Sequence, residues 1–420
     1  MSALRIVIIN KSDDRGGAAV VSRRLMHALQ QQGVHADMLV AEKLTDDPNV
    51  HLAAGAAKIK QAFLTERLEI FLRNGFNRQD LFKVDIASVG LPLSRHPLVQ
   101  QADIVVLGWI NQGMLSLKEI GRIAAHKPVV WVMHDLWCAT GICHHPGSCE
   151  RFMSTCGDCP LLHGPARCNH DLSHTTYRRK RRLYDLRGSN RLTFVAVSNW
   201  LKQRCMDSSL LKSQRIEVIH NPIKLSQHRY TARPSDGKLH LLMTAARLDD
   251  PIKGLDTLYN SLHRLADTHP SLVNSLSLSL LGNIKDKTRL DSFRALPGLT
   301  VEWHPAVPVS EVEAYYRQAH ILVSPSRYET LPGTLVEAQL YGALPVATDS
   351  GGQRDIITDS KLGVLTDADN FDNALLQAAQ MVQNTNPQEL SHRLYEAVKQ
   401  HFAAENIAAR FINLFNSLLQ

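Results

Sequence analysis

The chain of 420 residues is 44% hydrophobic and carries 47 Lys and Arg against 40 Asp and Glu, a formal charge of +7. That length and apolar content suffice for two domains of roughly 200 residues each, and the modest basic excess favours anionic ligands or an anionic surface. No stretch approaches the ~18 apolar residues of a membrane span, and no basic run is interleaved with aromatics as a nucleic-acid face requires, so both of those classes are set aside.

Met1, Ser2 and Ala3 pass straight into the apolar run Leu4 to Ile9, which reads as a buried strand and not as a secretory leader. A cytoplasmic location is therefore expected, in which the seven cysteines are thiols or metal ligands rather than disulfides. From Leu4 to about Ile223, short apolar runs alternate with amphipathic stretches, the pattern of β-α units feeding a parallel sheet. Strands are predicted over 4–9, 35–40, 103–109, 128–134, 192–198 and 216–220. Between the first two, Val21, Leu25, Ala28 and Leu29 share a helical face and Gly33 closes the helix.

Directly after the first strand comes Asp14-Arg15-Gly16-Gly17-Ala18-Ala19. Two glycines there let the backbone approach a ligand, and the helix start behind them offers amides to an anion; a plain strand-to-helix turn is the alternative. Farther on, Cys143, Cys149, Cys156 and Cys159 fall within a cysteine-rich insertion over 138–168. Their C-x5-C-x6-C-x2-C spacing leaves three readings open: a structural zinc, reduced or redox-labile thiols, and disulfides. The run Tyr177-Arg178-Arg179-Lys180-Arg181-Arg182-Leu183, with Lys58, Lys60 and the amphipathic stretch 62–76, is either a surface for anionic lipid or a solvated helix face.

Residues 224–238 are polar and aperiodic and read as a linker, after which the alternation restarts. Strands over 239–246, 276–282, 299–304, 320–325 and 344–348 predict a second doubly wound sheet. The expected domains are 1–223, 224–400 and a helix over 401–420 that packs back on the first, with ligands in a cleft at the strands' carboxyl ends.

Arg247 ends one of these strands and Lys253-Gly254 opens the next helix, a pair of cations suited to a diphosphate leaving group. From Ser324 to Gly352, Glu329 and Glu337 bracket Pro332-Gly333, where a helix is expected to start. Each carboxylate suits a vicinal diol, and the Thr334 and Leu335 amides suit a diphosphate. A solvated charged loop and a chance exposed glutamate are the bland alternatives.

Together with Gly16-Gly17, His134, Ser198, Gly342, Pro345 and Gly351-Gly352, these residues make the chain resemble the bacterial exopolysaccharide members of glycosyltransferase family 4, over nearly its whole length. The resemblance implies an α/β GT-B fold, with two Rossmann-like domains facing across a cleft. It also implies a retaining glycosyltransferase that takes a nucleotide-diphosphate sugar and a saccharide or lipid-linked saccharide acceptor, with no cofactor required for catalysis. Under it, Arg247 and Lys253 hold the diphosphate, Glu329 the sugar hydroxyls and Glu337 the ribose. His134 would contact the transferred sugar, and Gly16-Gly17 the donor phosphates or the acceptor. The loop Thr330-Leu331-Pro332-Gly333 departs from the common Gly-Phe-Gly-Leu, so the donor's identity is not carried over. A sugar-nucleotide epimerase, a starch-type synthase and a non-catalytic nucleotide or glycan scaffold remain the competing readings.

Overall fold

Strand β1 (Arg5–Ser12) is buried along almost its whole length, which requires cover on both faces. It lies between β2 (His35–Glu42) and β4 (Ile104–Leu107), both parallel to it, so that Ile8 stands opposite Met38 on one side and Val106 on the other. With β3 (Val50–Leu52), β5 (Val129–Met133), β6 (Leu192–Ala196) and β7 (Ile216–Val218) the sheet runs β3-β2-β1-β4-β5-β6-β7, all parallel. The helix Gly17–Gln31 buries Leu25, Met26, Ala28 and Leu29, and Gly33 takes the positive φ of 80° that ends it.

This computed structural model describes residues 4–185, 191–225, 230, 232, 233 and 236–420. Within the expected linker, residues 226–229, 231, 234 and 235 lie outside the described set. The chain divides into two compact units, one of residues up to Pro222 together with Ala404–Gln420, the other Ile223–Ala403. The second sheet contains β8 (Leu239–Arg247), β9 (Leu276–Asn283), β10 (Thr300–His304), β11 (Ile321–Ser324), β12 (Leu344–Thr348) and β13 (Val364–Thr366) in the parallel order β10-β9-β8-β11-β12-β13. Leu278, Leu280, Ile321, Val323, Leu344 and Val346 supply its buried centre, covered by helix residues such as Leu258, Leu262 and Phe371.

The closing helix Ala404–Leu419 belongs to the first unit: it packs on the helix Gly17–Gln31 through buried Ile407, Phe411, Leu414 and Phe415, and Arg410 donates to the Val218 carbonyl (2.5 Å). Leu418, one turn beyond Leu414, is only partly covered.

Candidate active site

In both sheets the strand order reverses beside the first strand, which opens a crevice at the carboxyl ends of β1 and β4 and of β8 and β11. Ligands of doubly wound sheets bind at such switch points. In the second unit the residues singled out from sequence converge there. A register irregularity between Thr244 and Arg247 bends the end of β8, as bulges beside active sites do. Arg247 is left half-exposed, paired with Asp249 (3.2 Å) and more loosely with Asp250 (3.9 Å). Behind it the turn Pro251–Lys253 leads into Gly254, which has φ of 71° and packs so closely on the Pro325 carbonyl that a Cβ would stand 1.9 Å from that oxygen.

Lys253 Nζ donates to Glu329 Oε1 at 2.6 Å, so two separately chosen residues form one ion pair. The loop carrying Glu329 is strapped on both sides. Arg327 N–H donates to the Ile252 carbonyl (2.7 Å), and Gly352 N–H donates to the Glu329 carbonyl (2.9 Å). A Cβ on Gly351 would meet that same carbonyl at 1.9 Å, which accounts for the glycine. The hydroxyls of Thr348 and Ser350 donate to the Ser326 carbonyl from the end of β12.

Helix Gly333–Leu340 follows, with Pro332 as its cap residue. The amides of Gly333 and Thr334 sit in the first turn, where no intrahelical acceptor exists. The Leu335 amide is a correction to the expectation: it donates to the Pro332 carbonyl (3.1 Å) and is already engaged. Glu337, one turn in, accepts from the Tyr316 hydroxyl at 3.1 Å, a partner 21 positions away that sequence spacing did not reveal. Glu337→Ala is expected to raise the donor's KM several-fold with a smaller effect on kcat, because a diol contact made equally in ground and transition states acts on binding. Steady-state kinetics with the donor varied checks this; a fall in kcat alone would contradict it.

In the first unit Gly16 caps the helix at φ of 89° and Gly17 begins it, with open space where side chains would be. Asp13 anchors the turn by accepting from the Leu44 and Thr45 amides (2.8 and 3.0 Å) and the Thr45 hydroxyl. Burial would raise its carboxyl, but these hydrogen bonds outweigh it and hold the group below the usual range. Gly108, at the end of β4, lies against Asn10 and Ser22, where a Cβ would be 2.5 and 2.9 Å from their side-chain oxygens. A pocket of about 300 Å³ at this edge is lined by Ile8, Ser22, Gly108, His134 and Asn221 among others. Burial pushes His134 down to about 4, the Asp135 charge only partly opposing it, so its imidazole is neutral at pH 7.

Sequence reasoning missed the ionic cluster that fixes the loop beyond β5. His144 bridges two carboxylates, Asp135 through Nδ1 (2.7 Å) and Asp85 through Nε2 (2.7 Å). Asp135 also accepts from the Trp137 amide (2.8 Å) and the Trp109 indole (3.1 Å), and Asp85 pairs with Arg67. Burial alone would lower His144, yet the flanking carboxylates carry it up to about 10. Burial would likewise raise Asp135, but the imidazolium and the Trp137 amide hold it at about 2. Fully buried Glu66 accepts from the Ile86 and Ala87 amides (3.1 and 2.7 Å), its carboxyl pushed up by burial and by Asp85. In the sequence His144 shows only as a histidine directly after Cys143, with nothing to mark its carboxylate partners.

The four cysteines line one pocket and are free thiols, so the disulfide reading is not realised. Among the described residues no three His, Cys, Asp or Glu side chains stand in ligating geometry as they are. The basic run is divided rather than presented as one face. Lys180 is fully buried, Arg179 turns inward to the Ile86 and Ala87 carbonyls (3.4 and 3.2 Å), and Arg178, Arg181 and Arg182 are exposed.

Two all-parallel, doubly wound sheets in two units are the architecture of the GT-B glycosyltransferases, which the comparisons bear out. Residues 15–227 match the family model described as Glycosyltransferase Family 4, and residues 231–401 match Glycosyl transferases group 1; the chain belongs to glycosyltransferase family 4. It is 23% identical over 437 positions to the putative colanic acid biosynthesis glycosyl transferase WcaC of Escherichia coli (strain K12), covering 99% of this chain and 100% of that one. Sucrose-phosphate synthase from Thermosynechococcus elongatus superposes with a TM-score of 0.64 at 17% identity, over 99% of both chains. Anabaena Alr3699/HepE, solved in complex with UDP and glucose, does so with a TM-score of 0.60 at 15% identity, over 99% of this chain and 100% of that one. These structural likenesses establish the fold.

Proposed function

We propose that the chain is a retaining glycosyltransferase that moves a sugar from a nucleotide-diphosphate sugar to a saccharide acceptor, a lipid-linked precursor of an envelope polysaccharide. The Lys253–Glu329 pair at the second sheet's switch point carries this reading. Lys253 and Arg247 are placed to take the charge that builds on the diphosphate as the anomeric C–O bond breaks. That cationic pair does for the leaving group what a metal does elsewhere, so the chemistry is assigned no metal. The Gly333 and Thr334 amides add dipoles of the same sign. Glu329 orients the sugar hydroxyls and Glu337 the ribose, while Gly16, Gly17 and neutral His134 serve the acceptor side and the transferred sugar. The acceptor oxygen bonds to the anomeric carbon on the face the diphosphate leaves, and its proton passes to the departing diphosphate oxygen. The name of the E. coli relative and the UDP and glucose of the Anabaena structure support the substrate classes.

A location on the cytoplasmic face of the membrane is part of the same proposal. Along the helix Ala56–Arg73 and just beyond it, Leu64, Leu68, Leu72 and Phe76 follow one another at four-residue spacing, 48% to 68% exposed, with Phe82 near them in sequence at 63%. Exposed Lys58, Lys60, Arg73, Arg78 and Lys83 lie in the same stretch of chain, a composition suited to anionic lipid. No helix among the described residues is long and apolar enough to cross a membrane. The protein is expected to sediment with anionic liposomes at low salt, and Leu68→Asn with Leu72→Asn to lower the bound fraction several-fold; a wild-type protein left in the supernatant would count against this part.

The test of the reaction is incubation with nucleotide sugars and a lipid-linked saccharide, following nucleoside diphosphate release and the anomeric configuration of the product by NMR. Retained configuration is expected. Inverted product would overturn the retaining assignment, and free sugar released without acceptor would favour an epimerase.

A further inference from the structure

The segment between β5 and the helix Leu172–Tyr184 has no helix or strand of its own beyond single 3-10 turns at Trp137–Ala139, Arg151–Met153 and Gly164–Ala166. It is nevertheless tightly folded: a Cβ on Gly141 would lie 2.5 Å from the Ser173 carbonyl and 3.0 Å from Cys156 Cβ, and one on Gly157 would lie 2.4 Å from the Asn169 carbonyl. Cys143, Cys149, Cys156 and Cys159 line a single pocket of about 470 Å³ within it, and each of the four is within electrostatic reach of the other three. Gly141 N–H donates to Cys156 Sγ (3.1 Å), and the Leu161 amide bonds to Cys159.

A second observation concerns charge. Lys180 is fully buried beside this pocket, its ammonium donating to the Trp137 and Thr140 carbonyls and lying 3.3 Å above the Trp137 ring. No carboxylate is among those partners. The ionisable groups that act on it are the thiols Cys138, Cys156 and Cys143 and, more weakly, the Asp135 carboxylate. Burial opposes the ammonium's charge, and a buried cation with no close anionic partner is costly. Four thiolates around a divalent ion carry a net charge of −2 and offset it.

We propose that Cys143, Cys149, Cys156 and Cys159 bind one structural zinc ion as a tetrathiolate, with buried Lys180 as its counter-charge. Binding displaces the thiol protons and draws the four sulfurs to about 2.3 Å from the ion, a closure the shared pocket leaves room for. Soft sulfur in a four-ligand set selects zinc over hard cations. The cross-link ties the insertion down next to the loop that carries His134, Asp135 and His144. It is separate from the donor reading, since metal content is measured without turnover.

The test uses the full chain produced in zinc-supplemented medium and purified without chelator. Elemental analysis is expected to find about one zinc per chain, released by a mercurial thiol reagent. Exchange into cobalt(II) is expected to give the sulfur-to-metal charge-transfer and d–d bands of a tetrahedral tetrathiolate. Cys149→Ser and Cys159→Ser should lose most of the metal, and Cys168→Ser, at an exposed cysteine outside the pocket, should keep it. If either serine variant fails to fold, the cobalt spectrum of the wild type decides. Metal-free folded protein whose four thiols all react with a disulfide reagent, or a mass spectrum showing two disulfides among them, would overturn the proposal.

Discussion

Lys253→Ala is expected to lower turnover by about two orders of magnitude or more, the usual cost of removing a preorganised group that meets charge as it develops. Lys253 stands on a turn fixed by Gly254 against Pro325, and its ammonium lies 2.6 Å from Glu329. The substitution removes a cation from the diphosphate position and leaves Glu329 without the partner that orients it. Arg247→Ala should behave similarly, its half-exposed guanidinium being held by Asp249 at 3.2 Å. Thermal stability should change little in either variant, because partly exposed ion pairs contribute about 0–1 kcal/mol. Single-turnover rates at saturating donor decide the point. Wild-type rates in either variant would remove that residue from the leaving-group site.

His144→Ala is expected to cost the first unit about 3–5 kcal/mol, the price of leaving buried charge uncompensated. Fully buried Asp85 would keep Arg67, but Asp135 would lose the imidazolium that pairs with it. The pH dependence follows from the sign of each shift. His144 has its folded value raised to about 10, so its contribution is complete below the unfolded value near ~6.5 and is lost as pH rises toward 10. Asp135 is lowered to about 2, so its contribution is present above ~3.9 and is lost as pH falls through 2. The gap between wild type and variant in urea unfolding should therefore be widest near pH 5–6 and narrow by pH 9.5. A gap that stays constant over that range would show that packing, not charge, accounts for the loss.

Much of the donor-side machinery was legible because it is local. Arg247, Lys253-Gly254 and Glu329 through Glu337 sit at strand ends and helix starts, where short-range pattern places them. That Lys253 and Glu329 touch is a tertiary fact: 76 positions separate them, and they meet because β11 was inserted beside β8. The edge strands β3 and β13 escaped detection because each is three residues long and stands in a polar stretch, whereas the equally short β7 is extended in the sequence by Ile219. The basic run was misjudged for a reason the sequence did contain. Tyr177, Lys180 and Tyr184 recur at helical spacing and are all buried, so one lysine of the run had to turn inward with the aromatics. His144, whose partners lie 9 and 59 positions away, gave no such pattern.

The central claim is that the loops after β8, β11 and β12 form a nucleotide-sugar site. Titration calorimetry of wild type, Arg247→Ala and Glu337→Ala against UDP-, GDP-, ADP- and dTDP-sugars tests it most directly, with thermal shift alongside. The account predicts that one donor class binds and stabilises the wild type and that both variants lose most of that effect. Absence of binding by any of these donors, with and without a lipid-linked acceptor, would contradict it and leave a non-catalytic scaffold as the better description.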